Sequence, residues 1–208
     1  MIKPVVTIID YGMGNMRSVC NALAYLGADF LVSADPKAIT SADLLILPGV
    51  GSFRQAASAL QQHGLDDAIH EAVIVRHKKI LGICLGMQLL CMRSTEGGEC
   101  AGLGLVAASV DRFSESETCG GKIPHIGFNV VTSRADSTLF SGLNQRTDFY
   151  FVHSYRLLPH GLPGFVATCD YGVRFVAAYE NDNICATQFH PEKSQTSGLR
   201  LLQNFLTR

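Results

Sequence analysis

The chain is 208 residues long, 47% apolar and 17% charged, which describes one well-buried α/β domain over residues 1–208 and excludes a disordered chain or a coiled coil. Its 17 Lys and Arg against 18 Asp and Glu leave a formal net charge of −1, so no nucleic-acid partner and no anionic membrane partner is expected. No apolar run is long enough to cross a bilayer, and the first ten residues lack the apolar core and cleavage site of a signal peptide, which points to a cytoplasmic protein.

Residues 5–9, Val-Val-Thr-Ile-Ile, form an apolar run of the kind a buried parallel strand carries. A helix is expected over 15–26, with Val19, Leu23 and Leu26 on one face and Gly27 as its stop. A short strand at 29–32 and a buried strand at 44–47 follow, the second ended by Pro48-Gly49. Helical pattern covers 52–62 and 65–78, a strand covers 80–83, and a helix begins over 87–92. The second half is richer in strands, at 103–110, 126–132, 149–152, 165–168, 175–179 and 184–188, and a helix at 197–206 closes the chain. Residues 114–121, polar and ending in two glycines, read as a surface excursion. The expected fold is α/β: a flavodoxin-like open sheet, mostly parallel with an added antiparallel edge, and helices on both faces. Ligands of such a sheet sit at the carboxyl ends of its strands.

Seven cysteines stand at 20, 84, 91, 100, 119, 169 and 185, an odd count with no C-x-x-C pair, so neither a disulfide framework nor a metal site is expected. One of them has unusual surroundings. Gly82-Ile83-Cys84-Leu85-Gly86 lies between a buried strand and a helix, in the form of a nucleophile elbow with Cys for Ser. Small residues two positions either side of the nucleophile let strand and helix approach. The turn sets Cys84 at a helix start, which favours its thiolate, and aims the Leu85 N–H at the site as an oxyanion donor. The same pentapeptide also fits a buried core cysteine beside turn glycines.

A thiol nucleophile needs a base. His63, His70 and His77 repeat every seven residues, about 10 Å along a helix at ~1.5 Å per residue, too far to share one metal ion, and they read as exposed helix turns. His160 sits in a loop between two prolines. His190 differs: Gln188-Phe189-His190-Pro191-Glu192 directly follows a strand. One residue separates His190 from Glu192, so in extended geometry both side chains point to one side and Glu192 is placed to hold the imidazole tautomer. Pro48-Gly49-Val50-Gly51, at another strand end, is a turn whose backbone N–H groups could serve as further oxyanion donors.

Taken together, these motifs resemble the class I glutamine amidotransferases over essentially the whole chain, in the oxyanion segment 48–51, in Gly82-Ile83-Cys84-Leu85-Gly86-Met87-Gln88 and in His190-Pro191-Glu192. Four further stretches resemble the subfamily that feeds ammonia to a cyclase of histidine biosynthesis: Asp10-Tyr11-Gly12-Met13-Gly14-Asn15, Pro124-His125-Ile126-Gly127-Phe128-Asn129, Tyr150-Phe151-Val152-His153-Ser154-Tyr155 and His190-Pro191-Glu192-Lys193-Ser194-Gln195. That subfamily usually carries Trp where this chain has Phe128, which keeps an aromatic face and loses an indole N–H.

The resemblance implies glutamine as substrate, no cofactor and no metal. It implies Cys84 as nucleophile, His190 as acid and base, and Glu192 as orienting carboxylate. Val50, Gly51 and Leu85 are the implied oxyanion donors, and Gly49, Gly51, Gln88, Tyr150 and Ser154 the implied glutamine contacts. The implied partner is a (β/α)₈-barrel cyclase subunit, with Asn15, Ile126, Phe128 and Lys193 at the contact face. Rival readings of the same residues are a glutaminase serving another acceptor, a stand-alone γ-glutamyl hydrolase, a non-catalytic binding module, and a cysteine esterase or protease.

Overall fold

Alternating strand and helix signals in the first half become parallel strands with helical crossovers. The computed structural model describes residues 4–157 and 161–207. Its first half runs β1 (Val6–Ile9), α1 (Met16–Tyr25), β2 (Phe30–Ser33), α2 (Pro36–Thr40), β3 (Leu44–Gly49), α3 (Phe53–Gln62), α4 (Leu65–His70), β4 (Lys79–Cys84) and α5 (Leu85–Leu89). The second half runs β5 (Cys91–Ser94), β6 (Cys100–Ala101), β7 (Val106–Arg112), β8 (His125–Thr132), β9 (Arg146–His153), β10 (Tyr155–Leu157), β11 (Phe165–Tyr171), β12 (Val173–Asn181), β13 (Ile184–Thr187) and α6 (Gln195–Leu206).

The main sheet has nine strands in the order β2-β1-β3-β4-β13-β12-β11-β8-β9. From β2 to β13 every neighbouring pair is parallel, and from β13 to β9 every pair is antiparallel. The added antiparallel edge is thus four strands wide, β12, β11, β8 and β9. Alternation along the strands feeds two cores. Ile8, Ile46, Leu81 and Ile83 face α1 and α6, with Leu23, Leu202 and Phe205. Ile9, Leu45, Leu47 and Ile80 face α3 and α4, with Phe53, Leu60 and Ile69. Each such fully buried side chain contributes about 1.5–3 kcal/mol relative to exposure.

Several local readings shift. The helix expected to 78 gives way to a π-helical turn at Glu71–Val75. The helix expected over 87–92 is five residues long, and Cys91–Ser94 is a strand. Its consecutive apolar residues suit either state, and pairing with β6 and β7 decides for a strand. The strand expected from 103 begins at Val106, because the Leu103 and Leu105 N–H groups turn back to the Leu89 and Leu90 carbonyls. β5, β6, β7 and β10 form a second, four-stranded sheet that local pattern does not announce. The excursion at 114–121 is tied down by Arg156, whose guanidinium donates to Glu117 at 2.5 Å. His63, His70 and His77 are exposed as expected, and His160 lies outside the described residues. Among the described residues no helix is long and apolar enough to cross a membrane.

Candidate functional site

Three strands adjacent in the sheet, β3, β4 and β13, run parallel and end at the same edge. Their carboxyl ends carry Pro48-Gly49-Val50-Gly51, Cys84, and Gln188-Phe189-His190. Residues more than a hundred apart in sequence therefore meet in one place.

Cys84 has φ +55° and ψ −107°, a conformation that L residues rarely adopt and that costs on the order of 1–3 kcal/mol. The flanking glycines are what permit it. A Cβ on Gly86 would lie 1.8 Å from the Leu47 carbonyl oxygen, and one on Gly82 would lie 2.9 Å from the Gly86 carbonyl. Gly49 is needed for the same reason, since its Cβ would meet the Tyr11 hydroxyl at 2.4 Å. α5 is only five residues long, so it offers the free N–H groups of its first turn, Leu85 included, rather than a long macrodipole.

The His190 and Glu192 side chains are each 1% exposed, and Nδ1 lies 2.7 Å from Glu192 Oε1. His190 Nε2 is buried without a hydrogen-bond partner, as is Glu192 Oε2. Burial alone would lower the His190 pKa; the Cys84 sulfur and the Glu192 carboxylate outweigh it and raise it above the ordinary value. That is the electrostatic pattern of an imidazole between a thiol and a carboxylate. Asn15 reaches the same carboxylate, with Nδ2 3.5 Å from Glu192 Oε1.

Cys84 and His190 open onto a cavity of about 340 Å³, lined also by Val50, Gly51, Leu85, Gln88, Glu96, Pro124, Val152, His153, Ser154 and Tyr155. Larger depressions of about 540 and 560 Å³ elsewhere on the surface hold neither a thiol nor an imidazole. Of the expected contacts, Gly51, Gln88 and Ser154 line the cavity. Two do not. Gly49 is buried in strand packing, and the Tyr150 ring packs outside, 5.5 Å from Phe128 and under the Lys193 ammonium at 5.9 Å. The Tyr150 ring lies on the Phe128 side of β9, and its carbonyl serves the site by accepting the His190 N–H. Val50 lines the cavity, but in this conformation its N–H donates to the Met13 carbonyl at 3.1 Å. The Tyr11 hydroxyl donates to the Pro48 carbonyl at 2.8 Å and holds the same segment two residues earlier. Ile126 and Phe128 are 60% and 51% exposed, and Lys193 is exposed beside them.

Of the other cavity residues, Glu96 carried no signal in the sequence, and His153 lies in the stretch 150–155 quoted for the resemblance but was given no role there. Glu96 sits in a Gly-rich turn and enters the cavity because its Oε2 accepts the Phe53 N–H at 2.8 Å; its charge faces a site that holds no Lys or Arg. His153 is joined to His125, with His125 Nδ1 3.0 Å from His153 Nε2. Burial pushes the His125 pKa down to about 4 and the His153 pKa to about 3. Both are neutral when folded but take a proton in the unfolded chain near the ordinary 6.5, so between those values the unfolded state binds more protons. Stability therefore falls as pH drops from about 6.5 toward 4. His190, shifted the other way, is charged in both states in that window and adds nothing. Thermal melts over this range check the slope, which His125→Asn makes shallower; an unchanged slope in that variant refutes the assignment.

Comparison with known proteins identifies the family. The family model described as glutamine amidotransferase class-I matches residues 7–208. The chain is 46% identical to imidazole glycerol phosphate synthase subunit HisH 1 of Campylobacter jejuni, over 96% of this chain and 98% of that one. It is 47% identical to the HisH subunit of Moorella thermoacetica, over 96% of this chain and 93% of that one. Among solved structures it resembles a glutamine amidotransferase with a TM-score of 0.74 at 21% identity, over 97% of this chain and 96% of that one, a likeness of fold.

Proposed function

The chain belongs to the class I glutamine amidotransferase family, and we propose that it is the glutaminase subunit of an imidazole glycerol phosphate synthase, hydrolysing glutamine to glutamate and ammonia. The observation that carries this is the Cys84–His190–Glu192 constellation on a strained elbow. Cys84 attacks the side-chain amide carbon of glutamine, and the tetrahedral oxyanion is held by backbone N–H groups, Leu85 among them. Collapse gives a glutamyl thioester as His190 protonates the departing ammonia. Water then attacks the thioester with His190 as base, releasing glutamate and the thiol. The Glu96 carboxylate supplies a counter-charge for the substrate ammonium, and Gln88, Gly51 and Ser154 complete the pocket.

Ammonia released into water is mostly protonated and useless as a nucleophile. Delivery therefore needs a sealed contact with the acceptor enzyme, a cyclase subunit that makes imidazole glycerol phosphate and AICAR, an aminoimidazole carboxamide ribotide, in histidine biosynthesis. Asn15, Ile126, Phe128 and Lys193 form the contact face, and the exposure of the two apolar side chains supports it. Seven free thiols suit a reducing compartment, the cytoplasm.

The Val50 N–H bound to Met13 supports a gate: alone, the chain lacks one oxyanion donor, and cyclase contact turns the Gly49–Val50 peptide toward the cavity. Glycine at 49 and 51 keeps that rotation cheap. Gly51 already has φ +104°, which valine strongly resists. In a glutaminase assay with and without the cyclase and its nucleotide ligand, Gly51→Val loses the stimulated rate by about 10²-fold or more, the scale of one oxyanion donor, and still co-purifies with the cyclase. A fast rate without the cyclase, unchanged on adding it, defeats the gate and favours a stand-alone hydrolase.

A further inference from the structure

The buried imidazole pair belongs to a longer run of hydrogen bonds whose polarity is fixed at its ends. Asn129 Oδ1 accepts the Val130 N–H and its Nδ2 donates to the Asp170 carbonyl, so its amide orientation is settled. Asn129 Nδ2 lies 3.4 Å from His125 Nε2, which must then accept. His125 Nδ1 therefore carries the proton and donates to His153 Nε2. His153 Nδ1 in turn donates to the Tyr155 carbonyl at 2.8 Å. That carbonyl is an acceptor only, so each step admits one tautomer.

The Tyr155 carbonyl also accepts from Gln88 Nε2 at 3.1 Å. The second N–H of Gln88 goes to Gln188 Oε1 at 3.0 Å, and Gln188 Nε2 reaches the Cys84 sulfur at 3.8 Å. Both donors of Gln88 are thus committed within the protein. What this cavity-lining side chain has left for a ligand is its Oε1, an acceptor.

We propose that His153, locked in one tautomer by His125, is a positioning residue for substrate recognition: it fixes the Tyr155 carbonyl and through it holds Gln88 with its carbonyl oxygen, not its amine, toward the ligand. The orientation selects a ligand N–H donor at that point and rejects a carboxylate. A proton on His153 Nε2 would oppose the His125 N–H and break the run; the low pKa values of both rings keep them neutral. His153 has no free ring nitrogen, so it is not a second general base.

The proposal rests on the cavity being the glutamine site. The test is inactivation of the full chain by a glutamine-like chloroketone, read as half-saturating concentration and limiting rate. His153→Leu raises the half-saturating concentration about tenfold, the scale of one or two lost hydrogen bonds, and leaves the limiting rate within about twofold. His153→Asn, which keeps an N–H near the Nδ1 position, recovers most of the loss. In a Gln88→Ala background His153→Leu has no further effect, since its route runs through Gln88. His125→Leu, which leaves His153 in place but unlocks its tautomer, shifts the same quantity in the same direction and carries the test if His153→Leu does not fold. A change in limiting rate alone, additivity with Gln88→Ala, or no recovery with Asn overturns the proposal. A wild type that is not saturable and not protected by glutamine overturns the glutamine reading and the proposal with it.

Discussion

Cys84→Ala abolishes glutamine hydrolysis, with a loss on the order of 10⁴–10⁶, the scale seen when the nucleophile of a triad is removed. The other six cysteines do not share this sensitivity. Burial raises the pKa of Cys91, and it pushes the Cys169 and Cys185 thiols up to about 12, so these three carry almost no thiolate at neutral pH. Cys119 is exposed and reacts with generic thiol reagents, but nothing around it recognises glutamine. A glutamine-like alkylating agent therefore labels Cys84 first, glutamine protects it, and peptide mapping identifies the site. Activity retained in Cys84→Ala, or protected labelling at Cys91 or Cys185, removes the elbow from the mechanism.

His190→Ala costs nearly as much as losing the thiol, because the same imidazole protonates the leaving ammonia and activates the water, and members of a catalytic unit are not additive. Glu192→Ala is milder, at about 10²–10⁴-fold, since an orienting acid acts through the base it holds. It still leaves Nδ1 of a buried imidazole without its 2.7 Å partner. His153 cannot take over, since both its ring nitrogens are already bonded. Rates in the presence of the cyclase check the ranking; a His190→Ala variant at wild-type rate requires another base and refutes the triad.

The sequence by itself determined the elements that carry the chemistry. The apolar runs before Pro48, Cys84 and His190 become β3, β4 and the strand end after β13. The reason is locality. A nucleophile elbow needs small residues two positions either side of the nucleophile, and five residues encode it; an imidazole and its carboxylate two apart are encoded in three. The family followed from those motifs in order along the chain. Tertiary structure decided what depends on partners far away in sequence. Whether Val50 offers its N–H depends on the Met13 carbonyl, and the orientation of Gln88 depends on Tyr155 and Gln188. Glu96 enters the cavity only because α3 anchors it, and the Tyr150 ring packs outside it against Phe128. The second sheet forms because Cys91–Ser94 finds β6 and β7. A residue's own pattern specifies strand, turn or nucleophile; which atom accepts its hydrogen bond is a property of the assembled chain, where a buried polar group must find a partner or remain unsatisfied.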